Sequence, residues 1–141
     1  MIRYAVAVLL LSTIPNAAYA APVDLKCYLE TESGRQDWAI TLNEETGTVT
    51  YSHPMRTATV KAIFTAEEVI WSYGDLKINR VNLSFVRDLG LMGPRTLAHQ
   101  LGGARGQAYL DEAKRKLQAD PDRARFIDQG KCEVVQVQRA F

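Results

Sequence analysis

Nucleophilic catalysis needs a hydroxyl or thiol next to a base, and Ser52-His53 supplies such a pair in sequence. The stretch around it is β-branched and aromatic, and neighbours on a strand point to opposite faces. The pair therefore reads as a polar strand end. Ser33, Ser72 and Ser84 lie in no nucleophile-elbow context. Glu44-Glu45 and Glu67-Glu68 are carboxylate pairs at turns, where solvation leaves nothing to raise a pKa for acid catalysis. Gly102-Gly103-Ala104-Arg105-Gly106 leads into a helix expected from Gln107, and helix N-termini attract anions. It lacks the Lys-Ser/Thr of a P-loop and follows no parallel strand, so it reads as a flexible linker. Asn82-Leu83-Ser84 matches a glycosylation sequon, a triplet frequent by chance. A protein without catalytic residues, metal or cofactor is the expectation.

Cys27 and Cys132 are the two cysteines. Free thiols or a shared metal site compete with a disulfide here. A two-thiolate site would need further ligands, and His53 and His99 stand at no recognisable ligand spacing. The first residues favour the disulfide. Arg3 is a positive n-region, Tyr4 to Leu11 is an unbroken apolar run, and Ala18-Tyr19-Ala20 has the small-x-small form of a signal-peptidase site. A signal over residues 1–20 is thus expected, with cleavage before Ala21. The apolar run is short of the roughly 20 residues a permanent span needs, and Lys26 before Cys27 spoils a lipoprotein box. The expected compartment is the periplasm or the exterior, where an even cysteine count reads as a disulfide.

The elements that would hold these residues are mostly strands. Val23, Leu25, Cys27 and Leu29 alternate with Asp24, Lys26, Tyr28 and Glu30, the period of two of a half-buried strand. Trp38, Ile40 and Leu42 repeat the pattern after the turn Glu32-Ser33-Gly34-Arg35. Further strands are expected over residues 48–52 (stopped by His53-Pro54), 57–64 and 68–73. From Leu76 to Val86 the apolar phase switches: Leu76 and Ile78 are even, Val81, Leu83 and Phe85 odd. The switch predicts a bulge, or two strands with a bend near Asn79-Arg80. Gly93-Pro94 and glycines 102, 103 and 106 mark a flexible stretch. Helix is expected over 107–119, with Tyr109 or Leu110, Ala113 and Leu117 at helical spacing. Asp120-Pro121 resembles a cap for a second short helix to Asp128. Gly130 ends it, and residues 131–137 form a last strand.

These elements give a mainly β fold. An antiparallel meander closes into a small barrel or sandwich, with one or two short helices inserted before the last strand. A disulfide needs Cα atoms within about 7 Å, so the first and last strands must be adjacent or face each other across the core. Residues 21–141 are expected as one domain with a helical, basic insertion at about 95–128. The aromatic residues Trp38, Tyr51, Phe64, Trp71, Tyr73 and Phe85 fall on strand faces. They could line a lipocalin-like cavity, but in a small barrel side chains usually fill the interior.

Cys27-Tyr28, Trp38-Ala39-Ile40-Thr41-Leu42, Ile78-Asn79-Arg80 and Gly130-Lys131-Cys132 together resemble a layout of small exported, periplasmic β-domain proteins of Gram-negative bacteria, mostly uncharacterised. The resemblance implies compartment and β architecture, and it transfers no active site. In that layout Thr-Gly commonly follows the arginine, whereas Val81-Asn82 stands here. The last connection is also usually shorter, so 95–125 looks like an elaboration.

Composition is ordinary for a globular chain, 47% hydrophobic and 23% charged. Without Arg3 the charges balance, and nucleic acid is not an expected partner. The balance is uneven along the chain. Arg95, Arg105, Lys114, Arg115, Lys116, Arg123 and Arg125 outnumber the acids of their segment, Asp111, Glu112, Asp120 and Asp122. Arg105, Lys114, Arg115 and Lys116 are therefore candidate contacts to anionic envelope surfaces, against the plainer expectation of a solvated helix. The functional expectation is a non-enzymatic, envelope-associated or binding module, with no transmembrane segment once the signal is removed. A small-ligand carrier, or an inhibitor of an envelope-directed hydrolase such as lysozyme, are the alternatives. A cavity above about 300 Å³ would favour the carrier, a protruding acidic loop the inhibitor.

Overall fold

The computed structural model describes residues 21–53 and 56–135. The expected signal over residues 1–20, the stop at Pro54 and the end of the last strand at Val137 lie outside them. The strands are β1 (Val23–Thr31), β2 (Gly34–Asn43), β3 (Thr48–His53), β4 (Arg56–Phe64), β5 (Glu68–Trp71), β6 (Leu76–Asn79), β7 (Ser84–Asp88) and β8 (Ile127–Val134). Each pairs antiparallel with its neighbour in sequence, and β8 pairs with β1 to close a barrel. Between β7 and β8 the chain inserts α1 (Met92–Leu101) and α2 (Gly103–Ala119).

Period-two patterning decides which side of each strand faces in. Leu25, Cys27, Leu29, Trp38, Ile40, Val49, Val69, Trp71, Leu76, Ile78, Phe85 and Cys132 form one buried cluster. Phe85, with no exposed surface, meets Trp38 edge-on at 5.5 Å and stacks with Trp71 at 6.1 Å. Burying each such side chain stabilises the fold by roughly 1.5–3 kcal/mol. Aliphatic side chains and these three aromatic rings fill the barrel. Both indole N–H groups, of Trp38 and Trp71, lie buried without a hydrogen-bond acceptor among the described residues. Facing outward on the same strands are Lys26, Glu30, Lys61, Lys131 and Glu133, all exposed. That is the reverse of a membrane-spanning barrel, which turns an apolar band outward. No described helix is long and apolar enough to cross a membrane.

Cys27 and Cys132 stand directly opposite one another on β1 and β8 and form a disulfide inside the barrel. It spans a sequence separation of 105. In the chain-entropy picture such a loop contributes about 4–5 kcal/mol.

The phase switch in residues 76–86 resolves as two strands joined by a turn. Val81, grouped by phase with Leu83 and Phe85, sits in that turn and is 81% exposed. Asn79 accepts the backbone N–H groups of Val81 and Asn82, an Asx arrangement that substitutes for ladder bonds. Arg80 then reaches across two neighbouring turns. It pairs with both Glu44 carboxylate oxygens, at 2.7 and 3.2 Å, and donates to the Thr65 carbonyl at 2.6 Å.

Four expectations fail, most of them at a glycine or proline. Residues 92–101 are helix, not a flexible stretch: Pro94 falls in the first turn of α1, where its missing N–H has no helical partner to lose. α2 begins at Gly103 rather than Gln107, because Gly106 is where the two helices touch. A Cβ there would lie 2.2 Å from the Ala98 carbonyl oxygen. Gly130 does not end a helix but sits within β8, since a Cβ would fall 1.7 Å from the Tyr28 carbonyl oxygen on β1. The second short helix is only a 3-10 turn, Arg123–Phe126.

Candidate functional site: the helical hairpin

β7 and β8 bring the insertion out at the end of the barrel that also carries the turn after β5. The Leu89 N–H donates to the Phe126 carbonyl at 2.8 Å, which extends the β7–β8 pairing to the root of the hairpin. There Arg123 grips Asp88 at 2.6 and 3.3 Å, and the Gly90 N–H donates to the same carboxylate. Burial alone would push the Asp88 carboxyl up, but Arg123 and the Gly90 N–H outweigh it and hold it below the usual carboxylate value. Leu117 packs against Gly90, where a Cβ would lie 2.6 Å from its side chain.

The second tether runs through Arg95. Its guanidinium donates twice to Asp75, at 2.6 and 2.9 Å, and lies 4.9 Å from the Tyr73 ring centroid. This two-pronged bond keeps the Arg95 group firmly protonated. Ser72 and Tyr73 both adopt positive φ, 52° and 60°, a region costly for residues with a Cβ. Strain of this kind persists where surrounding contacts enforce it. Here the Arg95 contacts hold Tyr73 with 88% of its surface exposed.

Tyr73, Met92, Thr96, His99, Gln107 and Leu110 line an open groove of about 750 Å³ between that loop and the hairpin. The mouth at the other end of the barrel, among Val23, Leu42, Phe64, Leu83 and Val134, holds about 210 Å³. That is below the roughly 300 Å³ at which ligand pockets begin. In the turn before β3, Glu44 pairs with Arg80 at 2.7 Å.

Helix geometry sorts the basic residues. α2 buries Gly106 and Leu117, with Leu110 and Ala113 partly covered between them, whereas Tyr109 is 36% exposed. Successive residues turn by about 100°, so Arg105, Tyr109 and Lys116 share one flank of that stripe and Lys114 lies on the other. Arg115 points away from both and pairs with Glu112. Arg105, Lys114, Arg115 and Lys116 are all exposed, but they do not form one patch. Sequence reasoning missed the partners of that flank on α1, Leu97 and Leu101, each 41% exposed. Their i, i+4 spacing was the available signal, obscured by Gly93-Pro94.

The remaining candidates are separated by the fold. Ser52 faces solvent from β3 while His53 turns inward, its Nε2 3.3 Å from Gln36 Oε1 and its ring 4.8 Å from Trp38. His99 is exposed on α1. Among the described residues no group of three His, Cys, Asp or Glu is gathered that could hold a metal ion. No family model, curated protein or solved structure matches this chain.

Proposed function

We propose that this chain is an exported, non-enzymatic binding module associated with the cell envelope, and that its working surface is the helical hairpin. One observation carries the reading. The barrel interior is filled by its own side chains, and exposed apolar residues on the barrel, such as Ile63 on β4 and Val81 in the β6–β7 turn, lie on separate elements, whereas Met92, Leu97, Leu101 and Tyr109 all belong to the hairpin and the 750 Å³ groove lies between it and the Tyr73 turn. A rigid barrel with an inward disulfide is a support, and the elaboration it carries is the part left open to a partner. The disulfide fits an oxidising compartment. The signal expected over residues 1–20 and the resemblance of the sequence to periplasmic β-domain proteins point the same way.

Photo-crosslinking side chains placed at Met92, at Leu97 and, as a control, at Ile63 on the barrel wall test this in cells. Ile63 is 64% exposed, so exposure alone would favour it. Adducts with an envelope component, lipid or protein, are expected from Met92 or Leu97 and not from Ile63. Adducts from Ile63 alone, or none from the hairpin, overturn the reading.

A further inference from the structure

The hairpin has two flanks, and they differ in chemistry. On α1, Met92, Thr96 and His99 face the groove, opposite Gln107 and Leu110 of α2. The Ala98–Gly106 contact fixes the axis between the helices. Rotation by about 100° per residue then puts Pro94, Leu97 and Leu101 on the outer flank, next to Arg105, Tyr109 and Lys116 of α2. Leu97, Leu101 and Tyr109 are 36–41% exposed. Arg105 and Lys116 make no ion pair among the described residues, and Glu112, on the same side of α2, pairs with Arg115. The flank is an apolar, aromatic strip carrying two free cations.

We infer that this outer flank docks on an anionic lipid surface; the inference rests on the reading of the hairpin as the working surface. Charge complementarity selects the occupant. Leucines beside a tyrosine can enter the headgroup boundary while Arg105 and Lys116 reach lipid phosphates, as in helices that lie in an interface. A specific protein partner would need about 800 Å² per side, more than these few side chains offer. The mode is peripheral, since neither helix is long enough to span.

The test is co-sedimentation of the folded, disulfide-intact protein with phosphatidylcholine vesicles, with and without phosphatidylglycerol, at low and physiological salt. Binding is expected only with phosphatidylglycerol and should weaken with salt. Each of Arg105→Gln and Lys116→Gln should lower partitioning about fivefold, from the usual attraction per basic residue at an anionic surface. Lys114→Gln, on the groove side, should leave it unchanged, which separates a docking flank from diffuse charge. Leu97→Ser should weaken binding at both salt levels. Equal partitioning to both vesicle types, or Lys114→Gln acting as strongly as Lys116→Gln, overturns the inference. If vesicles do not bind while crosslinks from the hairpin capture protein, the lipid partner fails and the binding-module reading stands. If neither occurs, both fall.

Discussion

Asp88 sits where the barrel ends and the hairpin begins, and its protonation should control that joint. The carboxylate holds the Arg123 side chain and the Gly90 N–H, and its pKa is depressed in the folded protein. A depressed carboxylate adds stability that is present above its unfolded pKa, about 3.9, and that is lost as pH falls through the lower folded value. Below about pH 4 the root of the hairpin should therefore loosen while the barrel, whose core has no titratable member, stays intact. Hydrogen-exchange protection of residues 89–126, measured relative to the intrinsic amide rate at each pH, reads this out. Lower protection is expected in acid, and Asp88→Asn should show the low protection already at neutral pH. Protection that is flat with pH would mean that the joint is fixed without Asp88. The chemistry of this residue was not legible in sequence. Asp88 and Arg123 are 35 positions apart, and only the closing of β7 on β8 makes them neighbours.

At the scale of elements, the hairpin depends on a single close approach. The Gly106 Cα lies so near the Ala98 backbone that any Cβ must push α1 and α2 apart. Gly106→Ala should gain up to about 1 kcal/mol of helix propensity yet lose more through the separation, for a net loss in helical content and a lower melting temperature. Gly93→Ala is the control: nothing lies within 4 Å of its Cβ position, so it should be neutral or slightly stabilising. Circular dichroism melts of both variants check the pair, and a stabilised Gly106→Ala would show that the helices can slide. Gly106 also shows why the first turn of α2 escaped sequence reading. A glycine that lets backbones touch is indistinguishable in sequence from one that frees a loop, and the same holds for Gly130 under Tyr28. The strands were legible because alternation records burial on one side of each, from Leu25 to Phe85. Chain reversal at Asn79-Arg80 left its mark as a phase switch. The site was half legible, since Arg105 and Lys116 stood out as charges, whereas their shared flank with Leu97 and Leu101 required knowing that 92–101 is a helix.

The molecule as a whole is a closed support plus an appended working part, and this division can be tested by removing the appendage. None of the buried core cluster lies between Gly90 and Phe126; the buried residues of that stretch, Ala98, Gly106 and Leu117, serve the hairpin and its root. Leu89 and Phe126 are already backbone partners, so a short glycine-containing turn can join β7 to β8 directly, as two-residue links commonly do. Excision would cost the Asp75–Arg95 and Asp88–Arg123 pairs, partly exposed pairs usually worth about 1 kcal/mol or less each. It would also shorten the loop that the disulfide closes from 105 residues to about 70, and the logarithmic dependence makes that loss a few tenths of a kcal/mol. The excised chain should therefore stay a folded barrel, oxidised at Cys27 and Cys132, with a melting temperature lower by no more than several degrees. It should also release the strained turn at Ser72 and Tyr73, which Arg95 would no longer hold. Far-ultraviolet circular dichroism should lose its helical component and keep the β signal, while vesicle binding and hairpin crosslinks disappear together. An excised chain that no longer folds would make the hairpin part of the barrel's stability; one that folds and still binds anionic vesicles would move the working surface to the barrel wall.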